Sequence, residues 1–181
     1  MKIKIWGARG SIPSPLKPEA IEEKIFKAIF GMPQIDTNDA DAVWAHIREL
    51  HPLLRGTAGG NTSCVEIQAA GHTIIIDAGS GLRELGLELL KGPCGRGRGQ
   101  LHFFFSHAHW DHIQGFPFFI PAFIPGNRLF IYSIHDIEEA LRRQQEAISF
   151  PVPLADVRAK LEFIRLREDQ HFQIGQVHID A

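Results

Sequence analysis

The chain has 181 residues, 44% of them hydrophobic, and a formal net charge of −2. That length and apolar content predict one globular domain, residues 1–181, with enough chain for a core. A near-neutral charge without a basic block excludes a strong nucleic-acid surface, though it is compatible with a small nucleotide-like substrate. No apolar run reaches the length of a bilayer span, so no membrane partner is expected. Lys2 and Lys4 alternate with Ile3 and Ile5 as in a strand, not as in a signal peptide. Cys64 and Cys94 form no CxxC pattern, which predicts free thiols and a cytoplasmic location.

In chain order, residues 2–6 alternate polar and apolar and predict a half-buried strand, broken by Gly7, Gly10 and Pro13. Arg9 reads as a rim charge facing phosphate or as a structural ion pair. Residues 18–30 predict an amphipathic helix with Pro18 at its start and Ile21, Ile25, Phe26 and Ile29 on one face. Residues 39–50 predict a second helix capped by Asn38 or Asp39. His46 and His51 in this region are expected to be solvated or packing residues. Gly56 to Gly60 predicts a turn and 63–68 a strand. Ala70-Gly71 then predicts a hairpin to 72–77, with His72 exposed. Residues 82–90 predict a helix, 101–105 a strand bearing a structural His102, and 112–124 a short helix followed by pocket wall. Further expectations are a strand at 129–133, a helix at 136–148, a helix-like stretch at 154–161, and strands at 163–166 and 172–179.

The densest chemistry follows the apolar run Phe103-Phe104-Phe105. Ser106-His107-Ala108-His109-Trp110-Asp111-His112 places three histidines and an aspartate within six residues. In extended backbone His107 and His109 leave the same face, so two imidazoles can reach one metal. Asp111 and His112 suit a second position if the chain turns there, as Gly115 and Pro117 allow. Imidazole with carboxylate is a ligand set for zinc, manganese or iron. A surface histidine cluster is the bland alternative, but packing gives no reason for so dense a pattern. Asp77 ends a buried β run at a glycine turn, where a carboxylate is costly unless paired. A metal-bound histidine is a natural partner for it.

His107-x-His109-x-Asp111-His112 resembles the signature of the metallo-β-lactamase superfamily. Met1–Ser11, Gly59–Cys64 and Asp77–Leu82 resemble three further landmarks of that superfamily in the expected order, and Pro117 through Tyr132 continues the likeness. The branch it resembles most includes ribonuclease Z, phosphonate-pathway phosphodiesterases and cyclic-nucleotide phosphodiesterases. The resemblance implies an α/β fold: the N-terminal half of an αββα sandwich, a mixed sheet flanked by helices, with a helical insertion around residues 16–56. It also implies a metal-dependent, phosphodiesterase-like hydrolase using a metal-bound hydroxide at a dinuclear site. Two zinc ions are expected in a complete site, with manganese or iron as alternatives. His107 and His109 would hold the first ion, and Asp111 and His112 the second. Asp77 would orient ligands, and Asp111 would also accept the proton of the attacking water. A small phosphodiester or nucleotide-like molecule is the implied substrate, with lactone or thioester hydrolysis as a further possibility.

Members of the superfamily carry a third histidine, a bridging aspartate and a final histidine beyond these motifs. Only His171 and His178 occur late in this chain, and both read by default as surface strand residues. The domain is therefore expected to be incomplete at its C-terminus, with each metal position holding two protein ligands instead of the usual three. A homo-oligomer or a complementing C-terminal half would supply the rest. The other reading is a catalytically inactive fragment that acts as a scaffold or binding module.

Overall fold

The computed structural model describes residues 1–57 and 60–181. Ala58 and Gly59 lie outside the described residues, and with them part of the expected Gly56–Gly60 turn and the first residue of the Gly59–Cys64 motif. The central element is a six-stranded mixed sheet. Its strands are β1 (Lys2–Gly7), β2 (Cys64–Ala69), β3 (His72–Ile76), β4 (Gln100–Phe104), β5 (Arg128–Ser133) and β6 (Lys160–Arg165), lying side by side in chain order. The β1–β2–β3 pairings are antiparallel, and β3–β4–β5–β6 are parallel. Ala70 and Gly71 both have positive φ, as a tight two-residue hairpin between β2 and β3 requires.

Parallel strands are buried on both faces, which is why β4 and β5 are predominantly apolar, with His102 the buried polar residue of β4. One face carries Ile75, Leu101, Phe103, Leu129 and Ile131 into the main core. There the helix α4 (Gly81–Leu89) contributes Leu82 and Leu85, and the 3-10 turns Phe116–Phe118 and Ile120–Phe123 contribute Phe116 and Phe119. Phe103 meets Phe116 and Phe119 edge to face, with centroids 6.2 and 5.5 Å apart, the geometry ring quadrupoles favour.

The opposite face is also apolar. Phe104, Phe130, Tyr132 and Ile164 lie on it, covered by a separate hairpin of β7 (His171–Ile174) and β8 (Val177–Asp180). Phe172 of the hairpin stacks 5.5 Å from Tyr132 and 6.3 Å from Phe104. The expected single strand at 172–179 is thus two strands, because Gly175 adopts φ +58 and reverses the chain. The hairpin does not extend to β1, where Ile3 and Ile5 remain 57% and 60% exposed.

Other expectations fare variously. The insertion forms α1 (Pro18–Phe30), α2 (Ala40–Glu49) and a one-turn α3 (Pro52–Arg55). Asp39 caps α2 by accepting from the backbone of Asp41 and Ala42. The helix expected to reach 148 is shorter, α6 (Ile137–Gln144). The helix-like reading of 154–161 is corrected to a 3-10 turn, Leu154–Asp156. Arg158 and Ala159 then both donate to the Ala122 carbonyl, which lays Lys160 directly into β6.

His102 is structural, as expected, while His72 is half-buried and packs edge-on against it at 5.5 Å. The expectation that His72 is exposed is therefore corrected. Stacked on Phe130 and 3.3 Å from the Tyr132 hydroxyl, His102 is 6% exposed. Burial, reinforced by His72, pushes its pKa down to about 4. The folded ring stays neutral while the unfolded chain takes up a proton below about pH 6.5. Stability should therefore fall between about pH 6.5 and 4 by on the order of 3 kcal/mol from this residue. Urea denaturation across that range checks it, and His102→Phe should flatten the slope.

Candidate metal centre

The parallel strands β3 and β4 end side by side, and the chain leaves each of them at the same edge of the sheet. After β4, Phe105 still donates to the Tyr132 carbonyl, so the backbone is held rigidly up to the residue before Ser106. His109 then stands at the N-terminal boundary of a single helical turn, α5 (Trp110–Ile113), which carries Asp111 and His112. That turn is tied to the β3–α4 connection: Ala78 donates to the His112 carbonyl at 2.7 Å, and Gly115 donates to the Ala78 carbonyl at 2.8 Å.

The three imidazoles are brought together. Ring centroids lie 4.5 Å apart for His107 and His109, and 4.0 Å apart for His107 and His112. Asp111 Oδ2 is 3.5 Å from His112 Nε2 and accepts from the Ser11 backbone N–H at 2.8 Å. His107, His109, Asp111 and His112 thus share one edge of the sheet, with Asp77 beneath them.

Asp77 is 4% exposed and sits at φ +60, a conformation that Asp tolerates better than most residues. Its carboxylate is fully engaged. Ser63 Oγ donates at 3.1 Å, the Ser106 backbone N–H at 2.9 Å, and Ser106 Oγ lies within 2.9 and 3.0 Å of its two oxygens. His112 Nδ1 is 2.7 Å from Asp77 Oδ2. A carboxylate accepts, so that bond places the proton on Nδ1 and leaves Nε2 with a free lone pair.

The electrostatics favour the forms that bind cations. Loss of hydration, followed by the neighbouring His112 and His109 rings, holds His107 below the usual imidazole range. The Ser11 N–H, ahead of all other causes, holds Asp111 below the usual carboxylate range. A neutral imidazole and an ionised carboxylate are the states that ligate a metal. The donor set also fits zinc in spacing. Bonds of about 2.0–2.1 Å in a tetrahedral site separate two donors by about 3.3 Å, and Asp111 Oδ2 and His112 Nε2 stand at 3.5 Å. Even so, among the described residues no three His, Cys, Asp or Glu side chains are arranged to enclose one ion.

Sequence reasoning missed three contributors: Ser106, Ser63 and the backbone N–H of Ser11. The position of Ser106, between the strand and His107, was the one available signal. His171 and His178 lie on the outer face of the β7–β8 hairpin, bonded to Asp180 and Gln173 respectively, in keeping with surface strand residues. His46 packs against α1, with Nε2 3.3 Å from the Ala28 carbonyl, and His51 caps α3. Arg9 makes no ion pair with any described residue and forms an isolated bridge to Thr62.

No family model matches the sequence. No curated protein matches it. Solved structures do. A diphosphatase from the PhnP family superposes with a TM-score of 0.52 at 18% identity, covering 95% of this chain and 53% of that one. The short form of human tRNase Z gives 0.45 at 16% identity, covering 94% and 48%. The metallo-β-lactamase fold protein YhfI from Bacillus subtilis gives 0.41 at 21% identity, covering 64% and 44%. The chain spans about half the length of the diphosphatase it matches. With its mixed sheet and the helices packed on it, the chain has the metallo-β-lactamase fold.

Proposed function

We propose that the chain carries the histidine-rich part of a metal-dependent hydrolase of phosphodiester-like substrates. The observation that carries this reading is the 2.7 Å bond between Asp77 and His112 Nδ1. A buried carboxylate that fixes the tautomer of an imidazole, with the other nitrogen facing a second carboxylate, is how proteins prepare a metal ligand. Divalent cations bound there, zinc first and manganese or iron as alternatives, would activate water and offset charge on the reacting oxygens. The protein's own contribution is placement. His107 and His109 serve one position, Asp111 and His112 the other, and Asp77 orients His112 from below. The Ser11 N–H holds Asp111 ionised, the form that ligates a cation, and the same carboxylate is assigned as acceptor of the attacking water's proton.

The strip around Ile3 and Ile5 supports a second layer on the outer face of the sheet, from another copy of the chain or from a complementing C-terminal half. Such a layer would supply the remaining ligands. Purified chain incubated with zinc or manganese tests the whole reading. Stoichiometric metal with hydrolysis of bis(p-nitrophenyl) phosphate is expected. Negligible metal with no turnover would instead favour an inactive scaffold or binding module, a reading motivated by the lack of a closed three-donor set among the described residues.

Asp77→Asn separates orientation from packing, because Asn also tolerates positive φ. Its amide would present N–H or a weaker acceptor to His112 and disturb the tautomer. Zinc affinity should drop about ten- to a hundred-fold, with the far-ultraviolet circular dichroism unchanged. Competition against a chromophoric chelator measures it.

A further inference from the structure

The insertion builds a cavity that the hydrolase chemistry does not use. A groove of about 690 Å³ lies between α1, α3 and the loop that follows β1, within the range of small-molecule sites. Ile21, Ile25, Ala28 and Leu54 form its apolar wall, and among the described residues neither Asp nor Glu lines it. Ile21 and Ile25 are about half exposed, so the apolar surface is unfilled by the chain itself. Two cations reach the groove. Lys24 is consumed by the Leu53 and Gly56 carbonyls, whereas Arg55 makes no ion pair with any described residue.

We propose that this groove binds an amphipathic small-molecule anion, its apolar body against α1 and its charged group on Arg55. An apolar trough whose guanidinium has no ion-pair partner and which meets no acidic residue, among the described residues, is complementary to that chemistry. Short backbone segments link the wall of the groove to the surroundings of the histidine cluster. Ser14 of its wall donates to the Gly60 carbonyl at 2.8 Å, and three residues earlier Ser11 donates to Asp111. On the other side Asn61 lines the groove, and two residues on Ser63 donates to Asp77. The binding does not rest on the hydrolase reading above.

Calorimetric titration of the metal-free chain with decyl phosphate, below its micelle concentration, tests the proposal. Saturable one-to-one binding is expected, at least tenfold tighter than that of decanol or inorganic phosphate. Arg55→Gln should weaken it at least tenfold, and Ala28→Trp, which fills the groove, should do the same. His109→Ala should leave the affinity unchanged. No saturable binding, or affinity indifferent to Arg55→Gln, overturns the proposal. If Ala28→Trp fails to fold, the surface variant Arg55→Gln decides alone. Arg55-dependent binding by a chain without hydrolytic activity would sink the hydrolase reading and leave the groove standing.

Discussion

His109→Ala is expected to lower hydrolysis of bis(p-nitrophenyl) phosphate by at least about a hundred-fold, because on the proposed reading a ligand is removed outright and not merely re-aimed. Its effect on stability should be within about 0.5 kcal/mol. The contrast follows from position. His109 is exposed at the boundary of α5, and among the described residues its ring nitrogens have no hydrogen-bond partner. Its neighbour is the His107 ring, edge-on at 4.5 Å. Nothing in the fold depends on such a side chain, so a loss of activity without a loss of stability can be ascribed to the cluster. Steady-state turnover and urea unfolding on the same preparation give both numbers. Normal turnover by this variant would refute the assignment.

Gly115→Ala should have the opposite signature, a large loss of stability that carries the site with it. A Cβ at Gly115 would lie 2.0 Å from the Gly79 carbonyl oxygen and 3.0 Å from that of Ala78. Both are backbone atoms in the connection that places Asp77, and neither can swing aside as a side-chain end would. The Gly115 N–H also bonds the Ala78 carbonyl, so separating the segments to admit a methyl breaks that bond. A cost of at least about 3 kcal/mol is expected. Gly10 provides the comparison, since a Cβ there meets nothing within 4 Å. Gly10→Ala should stay within about 0.5 kcal/mol of the parent. Equal midpoints for the two variants would contradict this account of how α5 is held against the β3–α4 turn.

What the sequence made legible divides by the range of the interaction. Helix α1 is found at its observed bounds because Pro18 opens it and its apolar spacing is local. The parallel strands are legible as largely apolar segments, and His107 to His112 as a dense cluster of histidine and aspartate, because each lies within one short segment. The β7–β8 hairpin was hidden because alternation continues through Phe172 to Ile179, while the reversal depends on one left-handed glycine, Gly175. The stretch 154–161 has helical composition, yet the Ala122 and Asn127 carbonyls, more than thirty residues away, draw it into the sheet. The surroundings of Asp77 were legible only in part. Pairing with a histidine follows from the cost of a buried carboxylate. That the chosen histidine is His112, and that Ser63 and Ser106 complete the shell, is set by the register of β3 against β4.

The central claim is that the residues from His107 to His112, standing on Asp77, form a seat for divalent transition-metal cations. An anomalous difference map at the zinc edge, from crystals grown with zinc, tests it most directly. The account predicts density within about 2.0–2.2 Å of His112 Nε2 and an Asp111 oxygen, with a second peak beside His107 and His109. Density confined to the exposed His171–Asp180 pair, or none near the cluster, would contradict it.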